Sequence, residues 1–121
     1  DYRAVPEIIY TTPEVARVGA TTSELTKRRV GYKTVTVPLS LVSKANTSDF
    51  SDGFVKLIAS TKTGTLLGGT VVCPNASEAI QELTLAVQNY LSATQVAQTL
   101  HVFSSWSEAI RVAAAKLAKL N

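Results

Sequence analysis

Two apolar runs joined by a short polar loop constrain this chain more than any other feature. Phe54 to Ala59 and Thr65 to Cys73 show little polar alternation, and Ser60-Thr61-Lys62-Thr63-Gly64 separates them. A five-residue loop with glycine near its end joins antiparallel neighbours, so the two runs read as a β-hairpin. Runs this apolar are expected inside a sheet with both faces covered. Gly68-Gly69, within the second run, marks a bulge or a close approach of another backbone.

Weaker extended signals surround the hairpin. Ile8 to Thr11 is β-branched and aromatic and reads as a short strand running into Thr12-Pro13; Val15 to Val18 is a second extended piece, ending at Gly19. Tyr32 to Val37 alternates, with Lys33, Val35 and Val37 on one face, and Pro38 ends that strand or places it at an edge. Thr21 and Glu24 have capping-box spacing for a short helix through Leu25 and Arg29, with Gly31 as its expected stop. Leu39 to Asp52 is polar and turn-rich, and is expected to be a long loop.

After Pro74 the period becomes helical. Asn75 is the expected cap, answered by Glu78, and Ile80, Leu83, Val87, Tyr90 and Leu91 form one apolar stripe. Ser92 with Gln95 repeats the capping-box spacing before a short helix to Thr99. Ser105 with Glu108 repeats it before an alanine-rich helix, Ala109 to Leu120. Strands first and helices last give an α+β domain, a mainly antiparallel sheet with helices packed on one side.

Composition sets the outer limits. The 121 residues suit one domain, and 45% hydrophobic residues with mean hydropathy +0.15 can build a packed core. Twelve basic against nine acidic residues leave +3, scattered along the chain, so a pI near 9.2 is only a slight pull toward an acidic partner. No aromatic interleaving supports nucleic-acid binding, and no run of 18 apolar residues spans a membrane. One Cys and one His exclude a disulfide framework, a zinc finger and a CxxC pair within the chain, and no metal site is expected. Cys73 reads as a small buried hydrophobe rather than a reactive thiol. No G-x-G-x-x-G occurs, so this chain builds no dinucleotide site alone. It begins at Asp1, contains no methionine and shows no signal-peptide layout. Residues 1–121 are therefore expected to be a single domain excised from a longer, cytoplasmic protein.

Three segments carry a family resemblance. Tyr10-Thr11-Thr12-Pro13-Glu14-Val15-Ala16-Arg17-Val18-Gly19 is similar to an F-T-x-P-E-x-A-x-V-G opening. Gly53-Phe54-Val55-Lys56-Leu57-Ile58, then Leu67-Gly68-Gly69 and Pro74-Asn75-Ala76-Ser77-Glu78, resemble a G-F-x-K-L…L-G…G-P-x-A-x-E run. Ser107-Glu108-Ala109 follows at the last helix. In this order they resemble the C-terminal dimerisation domain of the pyridine nucleotide-disulfide oxidoreductases, the family of lipoamide dehydrogenase, glutathione reductase and mercuric reductase. Lys44-Ala45-Asn46 falls where that family has an Ala-Asn-x-Arg-like loop. The resemblance implies a two-fold homodimer, upstream FAD and NAD(P) domains in the parent chain, FAD and NAD(P) as the parent's cofactors, and none held by this fragment alone.

The resemblance also implies a catalytic His in a His-Pro-Thr-x-Ser-Glu segment, paired with the Glu five residues later and offered to the partner subunit's cysteines. Here Phe103 stands five residues before Glu108, with Ser104 and Ser105 where Pro and Thr are usual. A phenyl ring carries no proton, so electron transfer from flavin to a quinone-like or other non-disulfide acceptor fits better than ordinary disulfide reduction, with reduction of a metal ion or of a disulfide by an unusual route as the open alternatives. Glu108 is then either the surviving half of an acid/base pair or, with Ser105, only a helix cap, and the cap is favoured. Val102, Phe103 and Ser104 are the candidate contacts to the partner's flavin. His101, seven residues before Glu108, reads as a partly buried or interface His rather than a catalytic one. Trp106 reads as a packing or interface anchor. The implied function is a homodimerisation domain that completes the partner subunit's flavin site. The alternative is a non-catalytic interaction module that keeps the fold without redox chemistry.

Overall fold

A computed structural model of the chain describes residues 2–120. Its strands are β1 (Glu7–Ile9), β2 (Glu14–Gly19), β3 (Tyr32–Pro38), β4 (Phe54–Ser60) and β5 (Leu66–Cys73). Its helices are α1 (Thr22–Lys27), α2 (Ser43–Thr47), α3 (Ala76–Gln88), α4 (Ala93–Gln98) and α5 (Ser107–Ala118), with 3-10 turns at Tyr2–Ala4 and Leu39–Leu41. All strand pairs are antiparallel, in the spatial order β1-β2-β5-β4-β3. The expected hairpin thus occupies two of the three inner places, closed where the Ser60 N–H donates to the Thr65 carbonyl at 2.9 Å.

Side-chain alternation decides which face is covered. Val55, Leu57 and Ala59 of β4, Val71 and Cys73 of β5, and Ala16 and Val18 of β2 are buried. α3 lies over β2 and β5 and brings Ile80, Leu83 and Val87; α5 lies over β3 and β4 and brings Ile110, Ala113, Ala114 and Leu117. Each buried Leu or Ile contributes about 1.5–3 kcal/mol, so packing rather than helix propensity holds these two helices. Both helices cover the same face. The outward residues Lys56, Thr70 and Val72 remain half-exposed while Ile58 is buried. The expectation that both faces of the hairpin are covered is therefore corrected. Apolar Ile58 and Val72 on the outward side had filled in the alternation.

Gly68 and Gly69 serve the close approach expected of them. A Cβ at Gly68 would stand 2.3 Å from the Ala20 carbonyl oxygen, and one at Gly69 would stand 2.9 Å from Leu83 Cδ1. Gly69 therefore lets α3 settle onto β5. The ladder slips beside them: Ile58 faces Gly68 but Ala59 faces Leu66, leaving Leu67 as the extra residue of a bulge.

Three further expectations are corrected. The first strand spans Glu7–Ile9 rather than Ile8 to Thr11, because the chain turns away at Tyr10 and the Thr11 hydroxyl donates to the Pro13 carbonyl at 2.7 Å. Leu39 to Asp52 is not one long loop, since Leu39, Val42 and Ala45 recur three apart and are buried, folding a 3-10 turn and α2 onto the core. Gly31 does not stop α1. That helix ends in a Schellman pairing, the Val30 N–H donating to the Leu25 carbonyl at 2.9 Å with Arg29 in the left-handed conformation at φ 58°. Gly31 is needed elsewhere, for a Cβ there would lie 2.5 Å from Thr61 Oγ1.

Candidate functional site

α3 is the platform of the site, and both its ends are tied to distant parts of the chain. Asn75 makes no side-chain cap bond. Instead the Ser77 N–H donates to Glu14 Oε1 at 2.9 Å, from the start of β2, and this bond holds the Glu14 carboxyl below its ordinary range. At the other end the Arg3 guanidinium donates to the Val87 and Gln88 carbonyls and lies 4.2 Å over the Tyr90 ring. A carboxylate thus meets the positive end of the helix dipole and a cation the negative end. Tyr90 leaves the expected apolar stripe: at φ 55° it turns out and is exposed, while Ile80, Leu83 and Val87 stay buried and Leu91 partly so.

The two downstream capping boxes behave differently. At α4 the expected box closes, the Gln95 N–H donating to Ser92 Oγ at 3.1 Å and the Ser92 N–H to Gln95 Oε1 at 2.8 Å. At α5 it does not form. The Ser105 hydroxyl donates to the Val102 carbonyl at 2.6 Å, Trp106 takes the N-cap place without a side-chain bond, and Glu108 Oε2 accepts from Arg111 Nε at 2.6 Å. The reading of Glu108 as half of a capping box is corrected; its carboxylate is committed to Arg111.

Between α4 and α5 the chain forms the segment from Thr99 to Trp106. Leu100, Val102 and Phe103 are 97%, 73% and 76% exposed, whereas the His101 side chain between them is only 4% exposed. His101 Nε2 lies 2.5 Å from Glu82 Oε2 on α3, and its Nδ1 lies 2.8 Å from the Thr99 carbonyl oxygen. A carbonyl only accepts, so Nδ1 donates there and Nε2 is left to pair with the Glu82 carboxyl. Burial pushes the Glu82 carboxyl above its ordinary range, against the opposing pull of His101. An open, mostly apolar cleft of about 440 Å³ lies alongside this pair, between Glu82 and Ser107. The Phe103–Ser104 peptide bond is cis.

Each candidate residue now has a place. Val102 and Phe103 project outward and Ser104 is half-buried beside them. Trp106 turns inward and meets Phe50 edge-to-face, ring centres 5.9 Å apart, so it packs the core as expected. Cys73 is fully buried and its thiol is pushed up to about 11, chiefly by burial, which leaves it unreactive. Glu82 was missed by sequence reasoning. Its signal was a carboxylate set between Ile80 and Leu83 of the apolar stripe, one helical step from solvent. Among the described residues no three His, Cys, Asp or Glu side chains converge to hold a metal ion, and no helix is long and apolar enough to cross a membrane.

Known proteins share this architecture and sequence. Residues 5–114 match the pyridine nucleotide-disulphide oxidoreductase dimerisation domain. The mitochondrial dihydrolipoyl dehydrogenase of Caenorhabditis elegans is 42% identical over 113 residues, which are 93% of this chain and 23% of that enzyme. An NAD(P)H dehydrogenase (quinone) of Mycobacterium tuberculosis is 39% identical over 115 residues, 95% of this chain and 23% of that protein. The crystal structure of LpdA from Mycobacterium tuberculosis superposes with a TM-score of 0.90 at 38% identity, covering 97% of this chain and 26% of LpdA. The chain spans about a quarter of the length of these relatives. With its α+β fold, its antiparallel five-stranded sheet and a family match over nearly all its length, the chain belongs to the dimerisation-domain family of the pyridine nucleotide-disulphide oxidoreductases.

Proposed function

We propose that this domain pairs two subunits of an FAD-dependent NAD(P)H oxidoreductase and lays Val102, Phe103 and Ser104 against the partner subunit's flavin, with the FAD and NAD(P) domains upstream in the same chain. One observation carries the reading: the segment exposes Val102, which lines an apolar cleft, and Phe103 next to it, and the described residues leave both largely uncovered. Contiguous exposed apolar side chains mark a contact surface. Their flat and branched carbon surface fits a cover for a planar ring, and Ser104 adds a hydroxyl. The relatives give no support to the alternative of an interaction module without redox chemistry, since those named here are dehydrogenases.

The flavin, when bound, carries electrons from the nicotinamide to the acceptor. What this chain adds is a surface that shields and orients, not a proton donor. Phe103 takes the family's His position in this reading, and Glu108 serves Arg111. The acceptor is a quinone: NAD(P)H, a quinone and a proton give NAD(P)⁺ and a quinol. The name of the Mycobacterium tuberculosis relative agrees with that acceptor.

The test is NAD(P)H oxidation by the full-length, FAD-loaded protein with a benzoquinone or with lipoamide. General acid–base catalysis contributes about 10²–10⁴-fold, so the quinone should turn over at least about a hundredfold faster. Comparable rates would overturn the acceptor assignment. For the compartment we propose the cytoplasm. Fractionation checks it, and recovery in mitochondria, where the C. elegans relative's name places that enzyme, would overturn it.

A further inference from the structure

In the Thr99–Trp106 segment the polar side chain is the buried one. His101 lies almost wholly inside while its neighbours Leu100 and Val102 face outward. Both of its ring nitrogens are used within the chain, Nε2 by Glu82 at 2.5 Å and Nδ1 by the Thr99 carbonyl at 2.8 Å. A seated His101 therefore has no nitrogen left for a ligand, so its work is mechanical. Glu82 sits on α3, the helix whose two ends are tied down by Glu14 and Arg3. A second tie, from the Ser105 hydroxyl to the Val102 carbonyl at 2.6 Å, closes the loop just beyond.

We propose that Glu82 and His101 are positioning residues, a clamp that fixes the base of this segment to α3 and so sets where Val102 and Phe103 stand. The proposal rests on the reading that these residues face the partner's flavin, and it names the part of the chain that aims them. The clamp is worth having because the segment has little else to hold it. Leu100, Val102 and Phe103 are outside and only Trp106, at the far end, is buried, so burial orders little of the stretch before it, and hydrogen bonds involving charged groups are the stronger ones available. The ion pair joins residues 19 apart in sequence, so it orders the segment relative to the helix rather than within itself.

The experiment uses the intact FAD-loaded protein with Glu82→Gln and His101→Gln, both close in size to the native side chains. Amide hydrogen exchange should quicken by about tenfold or more across residues 100–106 in each variant, with α3 and α5 still protected. Unchanged exchange at 100–106, or exchange that quickens equally throughout α3 and α5, overturns the clamp. Flavin emission supplies the second readout. Glu82→Gln should shift it in the native background and leave it unmoved in Phe103→Ala, because the clamp acts through Phe103. An equal shift in both backgrounds overturns the clamp. If Phe103→Ala alone leaves the emission unchanged, the flavin-facing reading fails, while the exchange data still decide the clamp.

Discussion

Behind β4 and β5 the inward side chains are apolar and buried, whereas between Thr99 and Trp106 the arrangement is reversed. There Leu100, Val102 and Phe103 face solvent, and the titratable side chain, His101, is buried against Glu82. Both regions are ordered, but by different forces. The interior is ordered by carbon removed from water, a term that scales with area and is indifferent to direction. The segment is ordered by a few directional bonds that fix position and add little to overall stability. A chain that exposes three large apolar side chains in a row of four, and spends its one histidine holding them there, places surface outside its own core. The difference separates side chains that hold the fold together from side chains left available for contact.

The comparison is broken most forcefully from the interior side. Ile110 on α5 is fully buried over β3 and β4. Ile110→Ala should cost about 2–5 kcal/mol, the lost transfer energy plus the cavity left behind, read as a lower midpoint in urea unfolding with an unchanged slope. A loss below about 1 kcal/mol would show that α5 is no more part of the core than the segment before it.

Two glutamates sharpen the contrast with opposite signs. The carboxyl of Glu14 is held low by the Ser77 amide, so its contribution is present above the ordinary carboxyl range and is lost as pH falls through its lowered value. The carboxyl of Glu82 is held high by burial, so its contribution is present below the ordinary range and is lost as pH rises through its raised value. Removing His101 takes away the partner that favours the Glu82 carboxylate. The stability gap between wild type and His101→Gln should therefore widen as pH rises from the ordinary carboxyl range, while Glu14→Gln should lose stability at neutral pH and flatten the acid limb. A gap that is constant with pH would show that Glu82 and His101 are not coupled.

Which features were legible follows from how local their causes are. The hairpin, the Ser92–Gln95 box and the helical order after Pro74 are set by neighbours within a few residues, and sequence spacing finds them. The ends of α3 are not set that way. Glu14 reaches Ser77 across 63 positions and Arg3 reaches Val87 across 84, so the local Asn75 pattern misleads. Ser105 and Glu108 have the same spacing as a working box, yet each finds a better partner in Val102 and Arg111. α2 was hidden because Leu39, Val42 and Ala45 lie three apart among polar residues. At the site, Val102 and Phe103 were candidates only through the family resemblance, and their exposure came from the structure. Glu82 was not a candidate, because nothing near His101 in sequence announces a partner on the preceding long helix.

The smallest effect is the most telling. Phe103 is among the larger apolar side chains of the domain, and truncating one in a core costs about 3–5 kcal/mol. At 76% exposure it has little burial to lose, so Phe103→Ala should move stability by no more than about 0.5 kcal/mol. Urea unfolding of the monomeric state, held dilute enough to remove any contribution from pairing, is the measurement, since association itself stabilises the fold by mass action. A loss of a few kcal/mol would place Phe103 in the interior and erase the contrast. A near-zero loss at dilution that grows with protein concentration would show the side chain buried only when a second copy arrives, so that its free energy belongs to the dimer and not to the domain.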